Sequence, residues 1–493
     1  MAEYFRGARA FQVPTRLIPP ARVSAAIPMV FGCAPIHRLP ADSQANAMPG
    51  SIVLAQQNSD AEEALGIKSA TDDFKKWGLS MMAFSHFNLF NLGPVLFVNL
   101  FNPEIHFSTA PSEELLFVGS VGNFTATLKN TDVIKLNSVN NFTEGEDFTI
   151  NKITGVITVI PGKLLEEKLL ESGHAPILAN YTYAAPEMVT ANDCIGGYDI
   201  ETGETTGLEL IEDVFPLTSL IPGGLVAPHF SENPVVAAIM AAKTQRINSV
   251  FTSVAYGDIP TDGVNGVKLY TKVPEYKNKN SLVYEDMLLC WPKAKVGDRE
   301  ISLSVLACGT AAETDAANMD IPFASNSNKT LPIQGIVAGG EEVILNLSKA
   351  NRLAGNGVST ALNFNGWKSW GGRTAAYPGA TDPKDVFFSS RRMFAWYSNR
   401  LILTYFQKVD DGINNRLIQT IVNSEQINLN SLGASEALLP GSRIEFTPDD
   451  NAIINIMDGL IRFRILLGMV VPAEEIDFIL EFDPTLLEAL FAA

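Results

Sequence analysis

Hydrophobic and polar positions change period several times along the chain, and each change predicts a different kind of element. Residues 25–33 and 95–101 are continuously apolar, which is typical of strands buried on both faces of a sheet. Between them the spacing predicts a helix that begins at Ser69, with Thr71 as its N-cap. Strand, helix and strand in this order predict the first part of an α/β core over residues 23–110.

A period of two with frequent turn residues sets residues 111–190 apart. Thr154 and Gly155 are placed in a hairpin turn between two of the strands expected there. The pattern therefore predicts an all-β, sandwich-like domain inserted into the α/β core. Its five predicted strands lie at residues 124–128, 133–136, 148–151, 156–160 and 177–183.

The α/β pattern resumes over residues 191–365. A helix is predicted after Ser231, which serves as its N-cap, with apolar residues at helical spacing as far as Ile247. Residues 250–255 and 302–308 are short apolar runs that predict strands, the second of them closed by Gly309.

Residues 366–455 are predicted to be mainly helical from Asp382 onwards. One helix carries Arg391 and Leu403, and a second carries Ile413 and Val422.

Residues 456–493 alternate between apolar and charged positions, which predicts strands at residues 460–471 and 476–482. A short amphipathic helix is predicted at residues 486–491. The apolar positions of the two strands are candidates for contacts with external sheet edges. They are Ile461 and Phe463, which alternate with Arg462 and Arg464, and Ile476, Phe478 and Leu480, which alternate with Asp477 and Glu481.

Residues 1–22 combine apolar side chains with prolines. Pro14, Pro19 and Pro20 exclude a continuous helix, so an extended arm that docks as a strand is predicted, and the alternative is a frayed terminus. The candidate contact residues of this arm are Tyr4, Phe5, Phe11 and Val13. The whole pattern predicts a mixed α/β, multidomain protein: an α/β core with an inserted all-β sandwich-like domain, a C-terminal α+β domain and extended terminal arms.

Composition narrows the function classes. The 493 residues carry 36 Lys and Arg against 54 Asp and Glu, a net charge of −18, with 46% hydrophobic and only 18% charged residues. This composition excludes wholesale disorder, and the low charge favours a protein that packs against others. Without clustered Lys and Arg, neither nucleic acid nor an anionic membrane surface is an expected partner. The apolar stretch 80–101 is interpreted as buried core, because Gly93 and Pro94 interrupt it.

The sequence predicts no catalytic residue, cofactor or metal site. The four cysteines lack zinc spacing, no phosphate-binding loop or nucleophile elbow is present, and no pair of histidines has metal-binding spacing. Glu313, Asp315 and Asp320 lack the spacing of a calcium loop and are interpreted as loop caps. Residues 367–374 place two tryptophans and Arg373 beside glycines. This predicts either an arginine that stacks on Trp or bridges carboxylates, or an ordinary packed turn.

Several of these segments together resemble the contractile tail sheath proteins of bacteriophages and of phage-tail-like bacteriocins. The segments occur in the family's order along nearly the whole chain. They are Val30-Phe31-Gly32 with Ala34-Pro35; Asp147 to Ile150 with Gly155 to Ile157; Thr314-Asp315 followed by Ile321 to Ala324; Asn351 to Val358 with Gly355; Trp370-Gly371-Gly372-Arg373-Thr374, which matches W-G-x-R-T; Ser390-Arg391-Arg392; and Pro472-Ala473-Glu474 leading into Phe478-Ile479.

The resemblance implies a structural subunit, with no cofactor, that polymerises as a sixfold helical sleeve around a tail tube and contracts to drive the tube through a cell envelope. It further implies that extended terminal arms add strands to neighbouring subunits. The implied partners are further copies of the chain, a tail tube protein, and baseplate and tail-terminator proteins. The implied location is a virion tail or a tailocin particle, assembled in the cytoplasm of a bacterial host.

Two other classes stay open on the residues alone. A different self-assembling protein, such as a baseplate or surface-layer component, accounts for the arms and the acidity. An α/β hydrolase or sugar-active enzyme with a β module accounts for the domain pattern, but it requires a convergent catalytic set that the sequence does not offer.

Overall fold

The structure is a computed structural model that describes residues 18–171 and 175–486. The predicted arm residues Tyr4, Phe5, Phe11 and Val13 lie outside the described residues, as does all but the first residue of the helix predicted at 486–491.

The strands of the described residues are, in chain order, β1 (Pro28–Gly32), β2 (Ile52–Ala55), β3 (Val95–Asn99), β4 (Phe107–Glu114), β5 (Val118–Ser120), β6 (Asn123–Thr127), β7 (Val133–Val139), β8 (Phe148–Asn151), β9 (Val156–Val159), β10 (Leu178–Ala184), β11 (Gly197–Tyr198), β12 (Thr205–Thr206), β13 (Gly224–Val226), β14 (Ala255–Asp258), β15 (Met287–Cys290), β16 (Lys293–Val296), β17 (Arg299–Ile301), β18 (Gly335–Ala338), β19 (Glu341–Glu342), β20 (Val358–Asn363), β21 (Trp367–Trp370), β22 (Arg443–Glu445) and β23 (Arg464–Leu466).

The α-helices of the described residues are α1 (Ala41–Gln44), α2 (Asn58–Leu65), α3 (Gly78–Ala83), α4 (Leu164–Leu170), α5 (Ala191–Ile195), α6 (Ile211–Thr218), α7 (Pro234–Thr244), α8 (Val273–Lys279), α9 (Leu303–Ala317), α10 (Leu347–Ala354), α11 (Pro383–Val386), α12 (Phe388–Tyr405), α13 (Asn415–Ala434) and α14 (Ile453–Met457). A π-helical segment, Phe84–Leu89, continues α3.

The centre of the molecule is a mixed eight-stranded sheet in the order β2-β3-β1-β13-β14-β15-β20-β21. The six strands from β3 to β20 run parallel, and β2 and β21 close the two edges in antiparallel orientation. Strands β1, β3 and β15 are buried along their whole length, which is why they read as largely apolar runs, and β14 is equally buried although it ends in Asp258. The strands predicted at residues 25–33 and 95–101 are thus confirmed as β1 and β3 of this sheet.

The inserted β region holds two small antiparallel sheets around a hydrophobic core of its own. One sheet has the order β4-β10-β7 and the other β5-β6-β9-β8, with α4 packed beside them. All five predicted strands are confirmed, and Thr154 and Gly155 form the turn between β8 and β9. β4 and β5 were not predicted, and the boundary drawn at residue 111 falls inside β4.

The C-terminal region packs α12 and α13 against the two-stranded sheet of β22 and β23. Both predicted helices are confirmed, although Ile413 precedes α13. The predicted strand at residues 460–471 shortens to β23, and residues 476–482 have no strand partner within the described chain. An extended segment needs a neighbouring strand to become part of a sheet, and the described part of the chain offers none to this segment.

The strand predicted at residues 302–308 is wrong, because this run is the first half of α9. A short apolar run fits a buried helix as well as a buried strand. Here both sides of α9 are covered, since most of its residues are buried, and Gly309 accommodates the ring of Phe90. Asp315 accordingly lies on a buried helix and is not the loop cap that was expected.

The helix predicted from Ser69 begins later, at Gly78. Residues 67–77 form turns instead, because the Asp72 carboxylate accepts a hydrogen bond from the Lys68 amide at 2.8 Å and is held by Arg38 at 2.6 Å. Thr71 is therefore not an N-cap.

Two further boundaries differ from the prediction. Asn233, not Ser231, caps α7 by accepting from the Val235 amide at 2.9 Å, and Ile247 lies beyond the end of this helix. The strand expected at residues 250–255 begins at Ala255. Within the described residues no helix is long and apolar enough to span a bilayer.

Candidate assembly site

Arg373 joins two sequence segments that lie far apart in the chain. Its Nε donates to Glu474 Oε2 at 2.8 Å across 101 positions, and its guanidinium carbon lies 3.9 Å from the ring centre of Tyr377. The Glu474 carboxylate is the main reason that the pKa of Arg373 is raised. The arginine thus bridges to a carboxylate, which is one of the predicted alternatives. The ring on which it stacks is that of Tyr377 and not that of a tryptophan.

Trp370 ties the same region to α10. Its indole Nε1 donates to Asn351 Oδ1 at 2.8 Å, and the Gly355 amide ends the helix by donating to the Asn351 carbonyl at 2.8 Å. Gly371 has φ +111°, and a Cβ there would lie 3.1 Å from the Val358 carbonyl oxygen. The backbone of this turn therefore requires glycine.

Lys277 is a buried residue that the sequence did not reveal. Its ammonium group donates to the carbonyls of Asn356 at 2.5 Å and Tyr377 at 2.6 Å. Burial lowers the pKa of Lys277 to about 8. The lysine fastens the turn after α10 to the turn after Thr374, and no local sequence pattern announces such a contact.

Thr374 and Arg391 hold the start of the helical region. Thr374 Oγ1 donates to the Asp385 carbonyl at 2.5 Å. Arg391 donates from Nη1 to Asp385 Oδ1 at 2.7 Å and from Nε to Asp286 Oδ1 at 2.7 Å, so it links α12 to the entry of β15.

Arg392 anchors α12 to the centre of the molecule. It donates from Nη1 to Asp315 Oδ1 at 3.0 Å, and the two side chains are 2% and 0% exposed. Burial alone lowers the pKa of Arg392, but the Asp315 carboxylate offsets this and the pKa lies above its usual value. The pair therefore joins α9 and α12 as fixed charges.

The root of the N-terminal segment lies along α12 and α13. The Ile18 amide donates to Ser424 Oγ at 3.0 Å, and the Ala21 amide donates to Thr404 Oγ1 at 2.9 Å. Further along, the Val23 carbonyl accepts from Trp396 Nε1 at 2.8 Å. These contacts bind only the backbone of the segment and direct residues 18–25 along the helix pair.

The C-terminal segment leaves the body of the molecule after Pro472 and Glu474. From residue 473 to residue 486 every side chain is exposed. The apolar ones are among the most exposed in the chain: Ile476 is 68% exposed, Phe478 84%, Ile479 86%, Leu480 94% and Phe482 80%. A series of exposed apolar side chains of this kind is typical of an interaction surface.

Ile461 and Phe463 lie apart from the exposed C-terminal tail, residues 475–486. They precede β23, and Phe463 and Ile465 pack against the cluster formed by α12, α13 and β22. The structure therefore separates the predicted contact residues into a sheet within the body and a tail beyond it.

The sheet of β22 and β23 has one covered edge and one open edge. On the β22 side the Gln426 side chain donates to the Ser442 carbonyl at 3.2 Å and accepts from the Ile444 amide at 3.3 Å. The backbone amide of Ile444 therefore points away from β23. Residues directly opposite each other in an antiparallel pair either bond to each other or both point outwards, so the amide and carbonyl of its partner Ile465 point away from β22. The outer edge of β23 is consequently open in the described chain.

The described residues offer no cluster of metal-ligating side chains. No group of three or more His, Cys, Asp or Glu in residues 18–171 and 175–486 is placed to hold a metal ion. The four cysteines are buried and unpaired, and burial raises the pKa of Cys194 and of Cys308 to about 12.

Comparison with known proteins finds similarity to tail sheath proteins. The chain is 26% identical over 437 residues to the tail sheath protein of Burkholderia phage BcepMu, which covers 86% of this chain and 85% of the relative. It is 26% identical over 335 residues to a putative prophage major tail sheath protein of Pseudomonas aeruginosa strain UCBPP-PA14, which covers 66% of this chain and 82% of the relative. No protein-family model matches the chain.

A solved structure shares the fold over the whole length. The sheath protein of the PVC extracellular contractile injection system, in its contracted state, superimposes with a TM-score of 0.58 at 11% identity and covers 99% of both chains. The fold is thus a mixed α/β sheath fold. The chain is therefore similar in sequence to tail sheath proteins over most of its length, and it shares the fold of a sheath subunit.

Proposed function

We propose that this subunit polymerises as a sixfold helical sleeve around a tail tube and contracts to drive the tube through a cell envelope. The observation that carries the proposal is the exposed apolar tail beyond Glu474, which has no strand partner among the described residues, together with an open strand edge on the same molecule. A tail on one copy that fits an edge on the next gives a heterologous contact, and such contacts propagate into helices.

The tail acts as a tether. An extended segment that adds to the open edge of β23 in a neighbouring copy makes a row of backbone hydrogen bonds and buries its apolar side chains. The N-terminal segment, whose described part lies along the α12–α13 pair from Ile18 onwards, acts as a second tether. Tethers of this kind keep subunits connected while their bodies move as rigid units during contraction.

The remaining partners follow from the sheath role. A tail tube protein lies inside the sleeve, baseplate and tail-terminator proteins bind its ends, and the assembled particle is a virion tail or a tailocin. The helices that carry Arg391 to Val422 are the proposed surface towards the tube. Some of the acidic faces of a chain with net charge −18 would match basic patches on that tube.

Electron microscopy of the purified protein tests this proposal. Negative staining over a concentration series, with and without a cognate tube protein, is expected to show hollow striated tubes much wider than one subunit. Dispersed particles at every concentration in both conditions would contradict it. Flat sheets would favour a surface-layer role instead.

A further inference from the structure

The charged positions of the exposed tail all carry one sign. In an extended segment, Glu475, Asp477, Glu481 and Asp483 project to one side together with Ile479. The other side then carries only apolar residues, namely Ile476, Phe478, Leu480 and Phe482. The chain has no Lys or Arg after Arg464, so nothing within the tail neutralises its acidic side.

The open strand edge has the opposite pattern. Around β23 the side chains of Phe463 and Ile465 face the hydrophobic cluster of the C-terminal region, whereas Arg462 and Arg464 are exposed on the other face. Side chains on adjacent strands share a face with their neighbours. A tail strand added to this edge therefore places apolar residues beside apolar residues and carboxylates beside guanidinium groups.

The two arginines differ in how far they are already neutralised. Arg464 Nε donates to Asp450 Oδ2 at 3.0 Å and is thus paired within the chain. Arg462 is exposed and has no ion-pair partner among the described residues, although its backbone is fixed by Asn451, whose Oδ1 accepts from the Arg462 amide at 2.7 Å. Arg462 is therefore an exposed cation without a direct ion pair among the described residues, although, after the hydrogen bond from Arg464, its charge also acts on the Asp450 carboxylate and lowers the pKa of that group.

We propose that Arg462, supported by Arg464, selects the acidic side of the tail from a second copy of this chain. The inference rests on the proposed function, in which that tail adds to β23, and it names the residues that make the contact specific. With a net charge of −18, two copies of the chain repel each other in most relative orientations. At the open edge of β23, by contrast, the arginines attract the carboxylates of the tail. Attraction there favours the tail over other apolar segments and sets its register.

Charge reversal and its rescue test the proposal in the full chain. Arg462→Glu is expected to raise the concentration needed for tube assembly about tenfold, because a cross-strand attraction becomes a repulsion. Asp477→Lys or Glu481→Lys in the same chain is expected to restore assembly, and the one that does so identifies the residue opposite Arg462. The rescue distinguishes direct pairing from a general loss of stability.

A matched control uses the exposed hairpin of β11 and β12. Glu201→Lys changes the net charge by the same amount as Asp477→Lys, so it is expected not to rescue Arg462→Glu. An assembly threshold that Arg462→Glu leaves unchanged would overturn the proposal, as would a loss that neither tail reversal repairs.

Deletion of residues 475–493 separates this inference from the function on which it rests. If the deleted chain assembles like the full chain, the tail is not a tether and the proposed function fails. If the deletion abolishes assembly while Arg462→Glu has no effect, only the charge selection fails.

Disulfide trapping gives a second measurement that does not depend on complete tubes. Because all four native cysteines are buried, Arg462→Cys with Asp477→Cys introduces the only exposed thiols among the described residues. Oxidation is expected to give a ladder of covalent multimers on denaturing gels. Arg443→Cys with Asp477→Cys, which places the first thiol on the strand away from the open edge, serves as the control. Equal ladders from both pairs would overturn the assignment.

Discussion

Arg373 and Glu474 are 101 positions apart in the sequence and form an ion pair at the point where the C-terminal tail leaves the body of the molecule. The guanidinium group of Arg373 also stacks on the ring of Tyr377. Among the described residues, Glu474 is the last side chain before the tail that forms an ion pair with the body of the molecule. Two segments that resemble the sheath family separately, Trp370 to Thr374 and Pro472 to Glu474, thus meet at one contact. The pair fixes where the tail begins.

Removal of this contact should affect assembly more than folding. We expect Arg373→Gln to lower the free energy of unfolding by less than about 1 kcal/mol, because the pair is partly exposed to solvent. The same variant should raise the concentration needed for tube assembly, since the tail root loses its direction. Denaturant titration and sedimentation measure the two effects. Lys272→Gln, which removes an exposed ion pair with Glu275, is the control, and an equal effect on assembly would contradict the role of Arg373.

The buried pair of Arg392 and Asp315 should behave in the opposite way. Asp315→Asn leaves a buried guanidinium without its counter-charge and is expected to destabilise the fold by about 3–5 kcal/mol. Chemical denaturation of the purified variant measures this. The double variant Asp315→Leu with Arg392→Met removes both charges and should recover much of the loss. A double variant less stable than Asp315→Asn would show that the pair itself, and not the orphaned charge, supplies the stability.

Acid should loosen the inserted β region through Asp132. This buried carboxylate accepts from Arg38 Nη2 at 2.7 Å and thereby connects the β region to the α/β core. Burial alone would raise its pKa, but hydrogen bonds and charge from His37 and Arg38 lower the pKa of Asp132 to about 2.

Since the pKa of Asp132 in the folded protein lies below its unfolded value of about 3.9, its contribution is present above pH 4 and is lost as the pH falls towards 2. The loss amounts to about 2 kcal/mol. Asp132→Asn should remove this part of the pH dependence when unfolding is measured between pH 5 and 2. Glu201→Gln, in an exposed hairpin, should leave the profile unchanged, and a profile for Asp132→Asn equal to that of the wild type would refute the assignment.

The N-terminal segment should be needed for polymerisation and not for folding. Among the contacts of the described residues, deletion of residues 1–18 removes that of Ile18 with Ser424 and leaves those of Ala21 and Val23 in place. We expect a folded monomer with a circular dichroism spectrum like that of the full chain, and no tubes by electron microscopy. Tubes formed by the shortened chain would show that this segment is not a tether.

Local pattern predicted those elements whose period is unambiguous. The five strands of the inserted β region and the helices α12 and α13 are present, because a period of two or of 3.6 fixes which side of each element is buried. The strands β1 and β3 are present as well, and there the signal is a continuous apolar run, since every residue of both strands is buried. The short apolar run at residues 302–308 gave the wrong element. Its burial on all sides in α9 erases the periodicity that separates a helix from a strand.

The sequence did not predict the contacts between distant segments. Nothing near Lys277 indicates that its ammonium group binds the carbonyls of Asn356 and Tyr377, and nothing near Arg392 names Asp315 as its partner. The sequence by itself determined the class of each layer, the apolar tail with its acidic alternation and the resemblance to sheath proteins, since these depend on residue order alone. Only the tertiary structure decided which charges are buried in pairs, where the tail is fastened and which strand edge is open. Those properties depend on how segments about a hundred residues apart pack together. Because the hydrophobic effect is non-directional, the local pattern of apolar residues does not specify which of these segments meet.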